Sequence, residues 1–128
     1  MLRALAIATM IVPQLSLAET ADGETTGLEL VMFEQAGCIY CAQWNAEVGD
    51  AYAKTNEGRA APLRRVDIHG PMPADLDIAT MPIFTPTFVL VLDGEEITRL
   101  EGYPGEDFFW PILDQMLEQA AQRQSDGA

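Results

Sequence analysis

Residues 33–44 read FEQAGCIYCAQW. Their two cysteines, Cys38 and Cys41, are the only ones in the chain. They stand where an apolar run, residues 28–33 (LELVMF), gives way to a segment with Trp44, Val48, Ala51 and Tyr52 at three- and four-residue spacing. The run suits a short buried strand, and the spacing predicts an amphipathic helix over residues 42–54 that begins at the cysteines. A strand that delivers Cys-x-x-Cys to a helix start leaves three roles for the pair: a staple, half of a metal site, or a redox couple.

Chemistry separates these roles. Two intervening residues put both sulfurs on one helix face about one turn apart, within reach of a disulfide. Cys38 would sit among the unpaired N–H groups at the positive helix end, which favours a thiolate and lowers its pKa below the free value of about 8.5. Cys41, one turn further in, would be less exposed and act second. A loop this short gives a staple little entropic benefit. Zinc wants four ligands, and the only histidine is His69, so copper(I), content with two or three soft ligands, is the surviving metal option. His69, at the end of an expected strand, reads first as a polar strand-end residue and second as a ligand or proton shuttle.

Outward from this stretch, Asn56-Glu57-Gly58 is expected to close the helix, and residues 63–68 (LRRVDI) to form a second strand. Residues 69–85 contain Pro71, Pro73 and Pro82 and are irregular, with room for one helical turn over 74–79. Residues 87–92 form a third strand, Asp93-Gly94 a hairpin turn, and residues 96–100 the returning fourth strand. A last helix is expected over residues 106–122, with Phe108, Phe109, Ile112, Leu113, Met116 and Leu117 on one wide apolar face and Pro111 within its first turns. Trp44, Trp110, Phe108 and Phe109 could line a client groove, but aromatics at helical spacing read first as core. The order implies an α/β domain with a parallel pair and a terminal antiparallel hairpin.

The N-terminus reads separately. Residues 1–18 combine Arg3, an apolar run, Pro13 and a Ser16-Leu17-Ala18 cleavage site, the pattern of a secretory signal peptide. The apolar run is far shorter than the roughly 20 residues of a membrane span. Residues 19–27 read as a flexible arm, 28–122 as the one domain and 123–128 as a flexible tail. The part after the signal keeps all 20 acidic residues and loses only Arg3 of the seven basic ones, a net charge of about −14. Nucleic acid and anionic lipid surfaces are poor partners for that charge.

Strand, Cys-Ile-Tyr-Cys at a helix start, Thr85-Pro86 before the third strand and Gly102-Tyr103 before the last helix together resemble the thioredoxin superfamily. The resemblance implies a thioredoxin-like fold with a central mixed sheet flanked by helices. It implies Cys38 and Cys41 as catalytic residues supported by Ile39 and Tyr40, no cofactor beyond their disulfide, and a cis Pro86 that, with Thr85, binds the substrate backbone as a short strand. A cis bond before Pro86 is also plausible by itself, since such bonds occur almost only before proline. Departures are Gly37 in place of an aromatic residue, Ile39-Tyr40 in place of Gly-Pro, and Met32 where the family has a buried acid. Glu34 is the nearest replacement proton acceptor for Cys41.

The stretches AAPLRRVDIHGPMP, FTPTFVLV and RLEGYPGEDFFWPIL are similar to the periplasmic thioredoxins of bacterial sulfur-oxidation (Sox) systems. That similarity implies a periplasmic reductant that keeps the cysteine of the SoxYZ sulfur carrier free and is recharged by a membrane thiol transporter, and a monomer is expected. Tyr40 and Thr85 lean toward reduction or reshuffling of disulfides. The rival readings are an isomerase-like or general reductase and, from another class, a copper(I) carrier that uses the Cys pair.

Overall fold

The computed structural model describes residues 27–127. The expected signal peptide and, apart from Gly27, the arm lie outside these residues. Strand β1 (Leu28–Glu34) is followed by α1 (Ile39–Trp44), a π-helical turn (Asn45–Gly49), α2 (Asp50–Tyr52), α3 (Asn56–Ala60), β2 (Leu63–Asp67), β3 (Thr87–Leu92), β4 (Glu95–Glu101) and α4 (Glu106–Asp126). The four strands make one mixed sheet in the order β2-β1-β3-β4. β1 runs parallel to β2 and antiparallel to β3, and β3 runs antiparallel to β4.

The middle of β1, residues 30–33, is an unbroken apolar run because it is central and covered on both faces: Leu30, Val31, Met32 and Phe33 are all fully buried. Alternation then divides the core in two. Leu28, Leu30, Met32, Phe88 and Leu90 pack against Trp44, Val48, Tyr52, Phe109, Leu113 and Met116 from the helices. Val31, Phe33, Val66, Val89 and Val91 face the other way and are covered by Leu76, Met72 and Ile78. Helices therefore cover one face, and the connection between β2 and β3 covers the second. Burial of each large side chain contributes roughly 1.5–3 kcal/mol, so both layers matter to stability.

Several expected boundaries move. Asn56-Glu57-Gly58 does not close a helix but starts α3, because Thr55 Oγ1 accepts from Gly58 N at 2.9 Å and caps it. Gly58 is required there by close approach: a Cβ would lie 1.8 Å from the Tyr52 carbonyl oxygen. The helix after the cysteines is interrupted by the π-helical turn. Residues 74–79 form no helix. Leu76 N closes one turn onto Pro73 O, Leu76 joins the second core layer, and Asp77 bridges to Glu95. α4 runs through Asp126, past the expected end at 122, so most of the expected tail is helical. Its buried stripe is Phe109, Leu113, Met116 and Ala120, and Phe108 falls off that stripe into solvent.

In β4 the ladder is irregular opposite Leu90 and Val91. Residues three apart in a regular strand face opposite sides, and this irregularity lets Glu96 and Arg99 meet as an ion pair at 2.6 Å.

Candidate active site

Cys38 and Cys41 are brought to one place by the end of β1 and the start of α1. Gly37 takes φ +77°, which an L side chain adopts only with strain, and it turns the chain from β1 into the helix. Cys38 is the N-cap of α1: it keeps an extended backbone while its carbonyl accepts from Ala42 N at 3.1 Å. Its sulfur accepts from Cys41 N at 3.1 Å, a cap made with sulfur in place of the usual oxygen. The two sulfurs are joined in a disulfide, with Cα atoms 5.2 Å apart. Cys38 is half-buried, and Cys41 is only 4% exposed. The residues between them point outward, Ile39 at 79% and Tyr40 at 59% exposure.

A cavity of about 310 Å³ opens beside the pair, lined by Glu34, Gln35, Gly37, Cys38, Cys41, Asn45 and Asp67 among others. Glu34, the expected proton acceptor, is on this wall, but its carboxylate is taken by Arg65 Nη1 at 2.7 Å. Arg65 also donates to Asn45 Oδ1 at 2.9 Å, touches Met32 Sδ and lies 5.7 Å from the Trp44 ring centroid. The position at Met32, where an acid was looked for, thus faces a guanidinium neutralised by Glu34.

Thr85 and Pro86 enter from the other side of the sequence. The Thr85–Pro86 peptide bond is cis, and the Pro86 carbonyl accepts from Gly102 N at 2.7 Å. Thr85 is tied to the cysteine segment by Gln35, whose Nε2 donates to Thr85 Oγ1 at 2.8 Å. The Gln35 Oε1 lies 2.7 Å from His69 Nε2, so His69 is an exposed hydrogen-bonding residue at the site's edge. The loop before Thr85 exposes Met81, Ile83 and Phe84.

Of the aromatic residues weighed for a client groove, Trp44 and Phe109 are core, Trp110 packs against it and Phe108 is exposed. On the far side of Tyr40, the Tyr103 hydroxyl donates to Glu47 Oε2 at 2.5 Å. Burial first, and the Glu47 hydrogen bond second, push the Tyr103 phenol well above its ordinary value. The same bond, with a smaller contribution from Gln43, holds the Glu47 carboxyl below its usual range. Among the described residues no three His, Cys, Asp or Glu side chains converge.

Gln35, Asn45, Arg65 and the Glu47–Tyr103 pair were not singled out from sequence. Their only signals were a polar residue between strand end and cysteines, and adjacent arginines in an acidic chain. Thiol and disulfide exchange is the chemistry this arrangement supports: one reachable sulfur, one sheltered sulfur and a backbone turn held nearby.

Known proteins agree with that chemistry. A thioredoxin-like domain profile matches residues 18–117. No curated protein gives a significant match. The crystal structure of the periplasmic thioredoxin SoxS from Paracoccus pantotrophus, in its reduced form, is 55% identical, covering 73% of this chain and 98% of that one, with a TM-score of 0.71. The chain belongs to the thioredoxin-like family and is a thiol–disulfide oxidoreductase.

Proposed function

We propose that the protein is a periplasmic dithiol reductant whose client is a protein disulfide, namely the adduct on the sulfur-binding cysteine of a SoxYZ-type carrier. The observation that carries the direction of attack is the unequal shelter of the two sulfurs: Cys38 caps the helix at the surface and Cys41 is almost wholly covered. Support for the setting comes from the periplasmic relative and from residues 1–18, which read as a signal peptide. Among the described residues no helix is long and apolar enough to cross a membrane.

In the reduced protein, the Cys38 thiolate attacks one sulfur of the client disulfide. A mixed disulfide forms and the other client sulfur leaves as a thiolate that takes up a proton. Cys41 then loses its proton and attacks Cys38, releasing the second client thiol and restoring the Cys38–Cys41 disulfide. Two electrons pass to the client. Burial raises the cost of ionising Cys41, so the proton needs a route, and the cavity walled by Glu34, Asp67 and Asn45 supplies one to solvent. Water in that cavity accepts the Cys41 proton, and Glu34, ion-paired to Arg65 on the same wall, is the carboxylate placed to relay it. The pair itself is the redox group, and an external dithiol donor, a membrane thiol transporter, returns it to the reduced state.

Cys41→Ser stops the second step and should trap the client on Cys38. Mixed disulfides recovered from periplasm, with a carrier cysteine among them, are the expected result. If none is recovered and the wild-type protein reduces no disulfide, the proposal fails.

A further inference from the structure

Gln35 has no task in the exchange just described. Its side chain nonetheless joins two segments distant in the chain, with Nε2 donating to Thr85 Oγ1 at 2.8 Å and Oε1 lying 2.7 Å from His69 Nε2. An amide oxygen only accepts, so His69 donates from Nε2. The His69 backbone N–H is itself held by Asp67 Oδ1 at 2.8 Å. Gln35 is therefore fixed from both ends and cannot swing away from Thr85 without breaking the contact to His69.

What it holds is an open edge. The β3 ladder begins at Thr87, paired with Glu101, and the Pro86 carbonyl is used by Gly102 N. Among the described residues no hydrogen bond engages the backbone N–H or C=O of Thr85 itself. Free strand-edge groups receive an extended polypeptide as an added strand. The approach is lined by Ile83, 78% exposed, and Phe84. This loop is pinned at its other end too, because the Thr80 carbonyl accepts from Arg99 Nη2 at 2.7 Å. Gln35 supplies the pin at the end facing the sulfurs, since it lines the same cavity as Cys38 and Cys41.

We infer that Gln35 is a positioning residue that sets substrate preference: by fixing Thr85 it presets a backbone edge, so disulfides carried on an extended peptide are reduced in preference to small disulfides that bring no backbone. The inference rests on the reductase proposal above. Ordering the edge in advance removes a cost that the client would otherwise meet on binding.

The test uses the reduced full chain and two compounds with a common leaving group. One is a short peptide whose single cysteine is a mixed disulfide with thionitrobenzoate, and the other is Ellman's reagent, the thionitrobenzoate disulfide alone. In both reactions the protein dithiol gives two electrons and two protons, becoming the Cys38–Cys41 disulfide, and the substrate leaves as two thiols. The readout is the ratio of the two rate constants, peptide over reagent. Gln35→Ala should lower it about tenfold, the effect of losing one good hydrogen bond. Thr85→Val should do the same, Thr85→Ser should restore the ratio to within about twofold of wild type, and the double variant should fall no further than either single one. A ratio unchanged in Gln35→Ala and Thr85→Val overturns the inference, including the case where both rates fall together, as a loosened fold would produce. A wild-type protein that reduces neither compound overturns the reductase proposal instead.

Discussion

Replacing Arg99 by methionine is expected to weaken both the fold and the loop that leads to Thr85. Arg99 donates to Glu96 through Nε at 2.6 Å and Nη2 at 2.8 Å, and to the Thr80 carbonyl at 2.7 Å. Side-chain exposures of 15% and 10% make the Arg99–Glu96 pair largely sheltered, so truncating one partner strands the other. Breaking a fully buried pair costs about 3–5 kcal/mol; with Ala79 N still donating to Glu96, we expect about 3 kcal/mol here. In a domain of this size that is a fall in Tm of roughly 12–20 °C. Acid should shrink the difference. The Arg99 hydrogen bond, ahead of any other cause, holds the Glu96 carboxyl below its ordinary 4.5. A depressed folded-state pKa means that the stabilisation is present above about pH 4.5 and is lost as pH falls through the folded value. Urea unfolding of wild type, Arg99→Met, Glu96→Gln and the double variant, at neutral pH and near pH 3, measures this directly. The double variant should be more stable than Arg99→Met at neutral pH, since it leaves no unpaired carboxylate. A loss below about 0.5 kcal/mol, or a loss that does not change with pH, would refute the reasoning.

Two further outcomes are expected. Tyr52→Phe removes the donor to the buried Ala61 carbonyl, a 2.6 Å bond, and should cost about 1–3 kcal/mol in urea unfolding, with no loss meaning that the carbonyl finds another donor. Burial raises the Tyr52 and Tyr103 phenols above their ordinary 10, so their stabilisation holds below pH 10 and is lost as pH rises through the folded values; ultraviolet titration should show late phenolate absorbance that Tyr103→Phe reduces.

β1 and β3 could be read from sequence because strands covered on both faces carry unbroken apolar runs, residues 30–33 and 88–92, in which no polar alternation confuses the reading. Cys38, Cys41 and Pro86 were legible because each side chain or ring has chemistry of its own. The pairing of Glu34 with Arg65 was not, because partner choice depends on the β1–β2 register, which sets Met32 opposite Arg65. Gln35 was passed over for the same reason: its partners at residues 69 and 85 are neighbours only after the chain has folded. The π-helical turn leaves no mark in the three- and four-residue spacing of Trp44, Val48 and Tyr52, all of which stay buried across it. Thr55 hid a helix start inside what read as a stop, since Asn and Gly mark both ends of helices.

The connection that ends at Thr85 also carries Met72, Leu76 and Ile78, which shield Val31, Phe33, Val89 and Val91. On the proposed role of Thr85, recognition and shelter are carried by one piece of chain. An engineer who wished to retarget the protein could not swap residues 69–85 as an interchangeable cassette, because any donor segment would have to bring its own apolar lid for the sheet. Ile83 and Phe84 are exposed, so on the same proposal that short stretch is where side chains can be changed while the lid stays in place.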